Sequence, residues 1–195
     1  MTLRPVPFVK WAGGKQALVQ TILSYFPAPS TINTYYEPFL GGGSIFFALG
    51  PRRAVLNDSN RWLIDTYRAI RDNWEQVASL LEVMPNTKED YLRIRSQDPF
   101  SMELHQRAAT FIYLNKTGFR GLFRVNAQGK FNVPYGAYNR RYFDPDNLRR
   151  VSQALKTVKL LSTDFELALS DVTRSDFIYF DPPYHPIGGY SDFKR

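Results

Sequence analysis

Short apolar runs alternate with longer amphipathic stretches along this chain of 195 residues. Four runs bounded by glycine, proline or polar residues are predicted as strands, at 34–37, 54–57, 158–161 and 177–180. The last run is apolar throughout, which predicts burial on both faces of a sheet. From Asn60 to Leu81 apolar residues recur every three or four positions, which indicates an amphipathic helix. Strands alternating with helices predict an α/β protein with a parallel sheet.

The middle of the chain has a different pattern. Helical periodicity at 87–96 and 101–116 leads into a predicted β-hairpin at 120–135, with its turn at Ala127-Gln128-Gly129. We therefore expect residues 72–145 to form an inserted lobe, and residues 1–71 and 146–195 to form the sheet domain.

Shorter helices complete the pattern of the sheet domain. They are predicted at 16–26, at 45–49 with Ser44 as the N-cap, and at 144–156.

Composition narrows the classes of function. The chain has no cysteine, which excludes disulfide scaffolds and thiolate metal sites, and nothing in it predicts another metal site. It contains no signal-peptide core and no apolar run long enough for a membrane span, so we expect a cytoplasmic protein without a membrane partner. A net charge of +7 together with 15% aromatic residues favours nucleic acid as the partner.

A glycine-rich loop follows the first predicted strand, in Glu37-Pro38-Phe39-Leu40-Gly41-Gly42-Gly43-Ser44. Glycines let a ligand approach the backbone, and the helix that follows offers N–H groups at its start. No Gly-Lys-Ser/Thr follows, so the loop is not a phosphate loop. Asp58, at the end of the next strand, is placed to accept ribose hydroxyls. A tight turn with a helix cap explains the loop equally well.

The tetrapeptide Asp181-Pro182-Pro183-Tyr184 follows the apolar strand directly. Ligands of open parallel sheets bind beyond the carboxyl ends of the strands, which is where this motif lies. The prolines restrict the backbone and so hold the Asp181 carboxylate and the Pro182 carbonyl as two acceptors for a planar amine. A simple strand terminator is the alternative, but the strand context favours a functional role.

Six blocks in this order resemble one family. They are Phe8-Val9-Lys10-Trp11-Ala12-Gly13-Gly14-Lys15, Glu37-Pro38-Phe39-Leu40-Gly41-Gly42-Gly43-Ser44, Leu56-Asn57-Asp58, Tyr113-Leu114-Asn115-Lys116, Gly129-Lys130-Phe131-Asn132-Val133-Pro134-Tyr135-Gly136 and Asp181-Pro182-Pro183-Tyr184. The sequence strongly resembles the Dam-type DNA adenine-N(6) methyltransferases over nearly its whole length. The resemblance implies a Rossmann-like sheet that binds S-adenosylmethionine, and methyl transfer to the exocyclic amine of adenine in double-stranded DNA.

The resemblance also implies roles for individual residues. The expected cofactor-binding residues are Trp11, Lys15, Glu37, Phe39, Gly41, Gly43, Asp58, Asp164 and Phe165. The expected catalytic residues are Asp181, Pro182 and Tyr184, which would hold an adenine flipped out of the duplex. Lys15 would pair with the cofactor carboxylate, and Tyr184 would stack on the flipped ring.

The predicted hairpin corresponds to the part of the family that contacts DNA. The expected DNA-binding residues are Lys10, Phe119, Arg120, Leu122, Arg124 and Pro134. Arg124 would contact guanine, and Phe119 would wedge into the base stack. Arg120 stands where a smaller polar side chain is usual. Lys116, Arg140 and Arg141 are expected at phosphates or on a solvated surface. These matches favour GATC as the target.

Other interpretations stay open at this point. Members of the family continue beyond the tetrapeptide, so we expect a sheet truncated at the C-terminus, and possible complementation by a C-terminal fragment. A fragment that binds DNA or cofactor without catalysis is one alternative, and an amino methyltransferase for RNA or protein is another. Asp at the first position of the tetrapeptide and the hairpin insert both favour DNA.

Overall fold

A computed structural model describes residues 3–183, and its centre is one parallel sheet. The strands are β1 (Tyr35–Glu37), β2 (Ala54–Asn57), β3 (Val158–Leu161) and β4 (Phe177–Ile178). Their order across the sheet is β3-β2-β1-β4, and every neighbouring pair is parallel. Tyr35 is in register with both Ala54 and Phe177. The predicted α/β class with a parallel sheet is confirmed.

Seven α-helices surround the sheet within residues 3–183. They are α1 (Val19–Leu23), α2 (Ser44–Leu49), α3 (Arg61–Glu82), α4 (Lys88–Arg95), α5 (Leu104–Thr117), α6 (Pro145–Leu155) and α7 (Phe165–Ala168). Side chains cap four of them: Asn60 accepts from Leu63 N at 3.1 Å at the start of α3, and Thr87, Asp144 and Asp164 accept in the same way at the starts of α4, α6 and α7. α3 packs along α5 and α6, and this contact forms much of the hydrophobic core.

α3 runs across the predicted boundary between sheet domain and lobe. Its backbone leaves helical geometry at Asn73 (φ −155°, ψ 78°), where Asn73 Oδ1 accepts a hydrogen bond from Gln76 N at 3.1 Å. Asn73 therefore acts as an internal N-cap, and the helix continues after the kink at this residue. The lobe boundary at residues 71–72 stays a prediction.

Two local predictions for the sheet domain are wrong. The strand predicted at 177–180 is only two residues long and half-buried, because β4 pairs with β1 on one side only at an edge of the described sheet. Phe180 is 50% exposed. Ser44 does not cap α2, since Gly43 in the left-handed conformation (φ +70°) occupies the N-cap position and Ser44 is the first helical residue.

The predicted hairpin is present only as an irregular loop, which we call the hairpin segment (residues 118–138). Its ladder is reduced to isolated antiparallel bridges, Val125 with Phe131 and Gly118 with Tyr135. Asn126 closes the turn because its Oδ1 accepts from the N–H groups of Gln128 and Lys130, each at 3.0 Å. A side-chain acceptor thus replaces part of the ladder that a regular hairpin would form.

Among residues 3–183, no helix combines the length and the hydrophobicity needed to cross a membrane.

Candidate active site

The carboxyl ends of β1, β2 and β3 are tied together by one buried side chain, that of Asn57. Its Nδ2 donates to Pro38 O at 3.1 Å and to Thr163 O at 3.2 Å, and its Oδ1 accepts from Thr163 N at 3.0 Å. Asn57 is 2% exposed, so these bonds are shielded from water. Sequence reasoning gave Asn57 no role, although a polar residue at the end of a buried strand was the available signal.

The glycine loop is shaped by close contacts that exclude side chains. Gly41 and Gly43 are left-handed, with φ of +50° and +70°. A Cβ on Gly41 would lie 2.5 Å from Trp11 Cδ1, and one on Gly43 would lie 2.9 Å from the Tyr67 hydroxyl. The Tyr67 hydroxyl also donates to Gly41 O at 3.1 Å. Trp11 therefore packs directly on the predicted cofactor loop, and Tyr67 is a further loop-positioning residue that the sequence did not reveal.

Glu37 is a buried acid beneath this loop. It is 3% exposed, and the Tyr35 hydroxyl donates to its Oε2 at 2.7 Å. Burial raises the pKa of Glu37 to about 8, the hydrogen bond from Tyr35 opposes this, and repulsion by Asp181 and Asp58 adds to it. Glu37 can therefore hold a proton near neutral pH, and a positive group bound nearby would favour its ionised form.

Asp58 faces the loop from the end of β2. Its Oδ2 accepts from Gly41 N and its Oδ1 from Asn60 N, both at 2.9 Å. Burial raises the pKa of Asp58, and these two backbone hydrogen bonds oppose the shift. Each carboxylate oxygen has capacity for more than one hydrogen bond, so Asp58 can still accept hydroxyl groups.

The predicted catalytic carboxylate contacts a predicted cofactor residue. Lys15 Nζ lies 2.5 Å from Asp181 Oδ2, and the same ammonium donates to Gly13 O at 2.8 Å. The two side chains are 15% and 20% exposed, so solvent screens this ion pair only in part. Pro182 is exposed beside it, and Tyr184 lies outside the described residues.

Three aromatic rings form an open surface at the same edge of the sheet. Phe39 lies 5.4 Å from Phe165 and 6.4 Å from Phe180, measured between ring centroids. Phe165 is 38% exposed, so the surface is accessible to a flat ligand. The predicted contact Asp164 caps α7, where its Oδ1 accepts from Glu166 N at 2.9 Å. Phe180 also belongs to this aromatic surface, although the sequence pattern predicted it only as part of a strand.

In the hairpin segment, Arg124 is held by Asn132. Arg124 Nε donates to Asn132 Oδ1 at 2.8 Å, and Nη2 donates to Asn132 O at 3.3 Å. A guanidinium group has five N–H donors, so this clamp uses two and leaves three for another partner. Asn132 was not singled out from the sequence, because the pairing depends on how the segment folds back.

Other predicted DNA-binding residues meet at the base of the hairpin segment. Phe119 is 42% exposed, and its N–H donates to Pro134 O at 2.8 Å. The Arg120 guanidinium lies 5.2 Å from the Phe119 ring centroid, on a left-handed backbone (φ +56°) that is unfavourable for arginine. Leu122 is half-buried and packs against the hydrophobic core.

Lys10 begins a positively charged surface next to these residues. Its main chain is fixed by Asn115, which accepts from Lys10 N and donates to Lys10 O, both at 2.8 Å. The Lys10 ammonium and the Arg140 guanidinium lie 4.9 and 5.0 Å from the Tyr138 ring centroid. Burial, with repulsion from Lys10 and Arg140, lowers the pKa of Lys116 to about 8.

The two regions differ in the sign of their charge. At the sheet edge Asp58 and Asp181 lie near enough to Glu37 to raise its pKa, and Lys15 pairs with Asp181. This excess of acids favours a ligand that carries positive charge. Within residues 3–183, none of Lys10, Lys116 and Arg140 forms an ion pair with a carboxylate, so their surface favours an anion. Arg141 differs, because it pairs with Glu82 at 3.0 Å.

A family model described as D12 class N6 adenine-specific DNA methyltransferase matches residues 11–194 of the chain. The chain belongs to this family. The chain is therefore a site-specific DNA methyltransferase that acts on adenine, and the predicted family is confirmed.

Individual relatives are similar over nearly the whole chain. The type II methyltransferase M1.LlaDCHI of Lactococcus lactis subsp. cremoris is 42% identical over 196 residues, which cover 96% of this chain and 68% of that protein. The DNA adenine methylases of Haemophilus influenzae and Escherichia coli K12 are 35% and 34% identical, over 98% and 95% of this chain and 68% and 67% of their own lengths.

Proposed function

We propose that this chain transfers a methyl group from S-adenosylmethionine to the exocyclic amine of an adenine flipped out of duplex DNA, within the sequence GATC. The observation that carries the proposal is the meeting of the glycine loop, Glu37 and the Lys15–Asp181 pair at one edge of the sheet. The loop and the tetrapeptide are far apart in the sequence, and their proximity supports one site for cofactor and amine.

The residues present fit S-adenosylmethionine. This cofactor carries a sulfonium, an ammonium and a carboxylate, and the site offers Glu37 for positive charge and Lys15 for the carboxylate. Gly41 and Gly43 permit close approach to the backbone. The exposed surface of Phe39 and Phe165 suits the adenine ring of the cofactor, and Asp58 suits its ribose.

Asp181 would activate the target amine by accepting one of its N–H groups. The lone pair of an adenine amine is delocalised into the ring, so the amine is a weak nucleophile. Acceptors at both N–H bonds, Asp181 and the Pro182 carbonyl, favour a pyramidal nitrogen with an available lone pair. When bound, the cofactor supplies an electrophilic methyl group, whose bond to sulfur would break as the bond to the amine nitrogen forms. The methylated amine would then lose one proton to water. Stacking by Tyr184 stays a prediction.

DNA binding is supported by the positive surface of Lys10, Lys116 and Arg140 and by the Arg124 clamp. Cations beside phosphates supply affinity, and an arginine held in plane supplies a bidentate contact to guanine. In a base pair one N–H of the adenine amine is bonded to thymine and the ring is stacked, so two protein acceptors and a methyl donor can surround the nitrogen only when the base leaves the duplex. The position of Asp181 at the end of a strand supports such base flipping.

The test is incubation with S-adenosylmethionine and two duplexes that differ only in GATC against GTAC, followed by digestion and mass spectrometry of nucleosides. We expect N6-methyladenine in the first duplex and little in the second. Equal methylation of both would overturn the GATC assignment but not adenine methylation.

Binding of both ligands without any N6-methyladenine would instead support the binding-module alternative. A gel-shift assay on the same duplexes and a calorimetric titration with S-adenosylmethionine distinguish this result from an inactive preparation.

A further inference from the structure

A stack of aromatic rings connects the glycine loop to the hairpin segment. The Trp11 indole lies 5.8 Å from the Phe123 ring with the planes inclined by 25°, and Phe123 lies 5.7 Å from Phe131. Phe111 stacks on Phe123 from α5, at 5.5 Å and 28°. We call Trp11, Phe123 and Phe131 the aromatic column.

The aromatic column is held from the side by a ring of α3. Trp62 makes edge contacts to Phe123 and Phe131, each at 6.2 Å, and its Nε1 donates to Arg107 O at 2.9 Å. Close-packed interiors are poorly compressible and transmit strain. A displacement of one end of the column is therefore passed to the next ring rather than absorbed.

Each end of the aromatic column meets a different part of the proposed function. At one end, Trp11 packs so closely on Gly41 that a Cβ there would lie 2.5 Å from its Cδ1. At the other end, Phe123 directly precedes Arg124 and Phe131 directly precedes Asn132, the two residues of the guanidinium clamp. The rings thus join the cofactor loop to both sides of the clamp.

We propose that Phe123 is a positioning residue that couples the glycine loop to the Arg124–Asn132 clamp, so that cofactor and GATC-containing DNA bind cooperatively. This inference rests on the proposed function. Phe123 touches neither ligand in this scheme, and acts by stacking on Trp11. Coupling must be reciprocal, so the cofactor tightens specific DNA by the same factor as DNA tightens the cofactor.

The experiment compares the wild-type chain with Phe123→Leu and with Phe123→Tyr. The dissociation constant of a GATC duplex is measured with and without saturating S-adenosylhomocysteine, the non-reactive product of the cofactor, and the ratio is the coupling factor. Leu keeps apolar volume but removes the stacked ring, whereas Tyr keeps the ring. Phe143→Leu is the matched control, since Phe143 is also half-buried and packs on Tyr142 outside the aromatic column.

We expect a coupling factor of about 5 or more in the wild-type chain, in Phe123→Tyr and in Phe143→Leu, as is typical of coupled sites. In Phe123→Leu we expect a factor within about twofold of 1, with binding of S-adenosylhomocysteine alone changed by less than about threefold. A merely structural role would weaken both ligands without changing the ratio. If Phe123→Leu does not fold, Phe123→Met takes its place with the same expectation.

Two results would overturn the inference: no coupling in the wild-type chain, or full coupling in Phe123→Leu. Both are distinguishable from failure of the proposed function, which would leave no N6-methyladenine in the wild-type reaction. A wild-type chain that methylates GATC while its Leu variant couples normally refutes the role of Phe123 alone.

Discussion

The sheet edge and the hairpin segment achieve sharp turns of the backbone by different means. At the sheet edge the left-handed positions are glycines, Gly41 and Gly43, which adopt this conformation at little cost. The hairpin segment has left-handed glycines too, Gly121 and Gly129, but two further left-handed positions are held by residues with side chains, Arg120 and Ala137. The sheet edge is thus built with little strain, whereas the hairpin segment keeps strain that its other contacts must offset.

The sheet edge and the hairpin segment also differ in the kind of contacts that hold their side chains in place. At the sheet edge, Glu37 is fixed by burial and by the Tyr35 hydroxyl, and Asp58 is fixed by two main-chain N–H groups. Side-chain hydrogen bonds in solvent fix the hairpin segment, as at Arg124 and Asn126. Substitutions at the sheet edge should therefore change the rate of methylation and the pH dependence of stability. Substitutions in the hairpin segment should change DNA sequence specificity and should alter stability by small amounts.

The largest effect is expected from Asp181→Ala at the sheet edge. Loss of a preorganised group at the reacting atom typically lowers turnover by about 10²–10³-fold, and we expect a loss of that size in the rate of adenine methylation. The measurement is a single-turnover rate with a GATC duplex. The control is Asp171→Ala, because Asp171 forms an exposed ion pair with Lys159 at 3.4 Å away from the site. Wild-type turnover by Asp181→Ala would contradict the role of this carboxylate.

Glu37→Gln should change how stability depends on pH. Burial raises the pKa of Glu37 from 4.5 to about 8, so its stabilising contribution is fully present below 4.5 and is lost as pH rises through 8. We expect the free energy of unfolding of the wild-type chain to fall relative to Glu37→Gln by roughly 1.4 kcal/mol per pH unit between about pH 5 and 8. Urea denaturation at pH 5, 6, 7 and 8 measures this difference.

A control and a ligand sharpen the test of Glu37. Glu75→Gln, at an exposed position, is the control variant in the same four denaturation experiments. Saturating S-adenosylhomocysteine, which keeps the ammonium of the cofactor, should reduce the slope. A flat difference between the wild-type chain and Glu37→Gln would show that Glu37 is ionised throughout this range.

Arg124→Lys tests the hairpin segment by keeping charge and removing the planar clamp on Asn132. We expect discrimination between GATC and GTAC duplexes to fall by about 1–3 kcal/mol, while binding to non-specific DNA changes little. Competition binding at fixed salt measures both quantities. Arg93→Lys, at an exposed pair with Asp90, is the control. Equal losses for both duplexes would instead assign Arg124 to phosphate.

The sequence predicted the sheet edge better than the hairpin segment, and the reason is physical. The strands predicted at 54–57 and 158–161 have the observed bounds. β2 lies inside the described sheet and β3 lies at its edge. β1 begins one residue later than predicted, and β4 is short because a local apolar run does not tell whether a neighbouring strand covers it.

The contacts between distant residues were not predictable in the same way. Tyr35 and Glu37 lie two residues apart on one strand face, so their hydrogen bond had a local signal. Lys15 and Asp181 are 166 residues apart, and only the folded sheet edge reveals that they pair. The Asn132 clamp and the stacking of Trp11 on Phe123 likewise depend on where the hairpin segment packs, which hydrophobic periodicity does not encode.

The smallest expected effect comes from Ala137→Gly, which tests the strain that distinguishes the hairpin segment. Ala137 is exposed with φ of +53°, so glycine removes a steric cost without removing a buried contact. We expect stabilisation by about 0.5–1 kcal/mol, or about 1–4 °C in Tm for a chain of this size. Ala127→Gly is the matched control, since Ala127 is exposed but not left-handed, and it should destabilise by a similar amount. If both glycine variants lower Tm, the hairpin segment holds no strain at Ala137, and the contrast with Gly41 and Gly43 would rest on Arg120 alone.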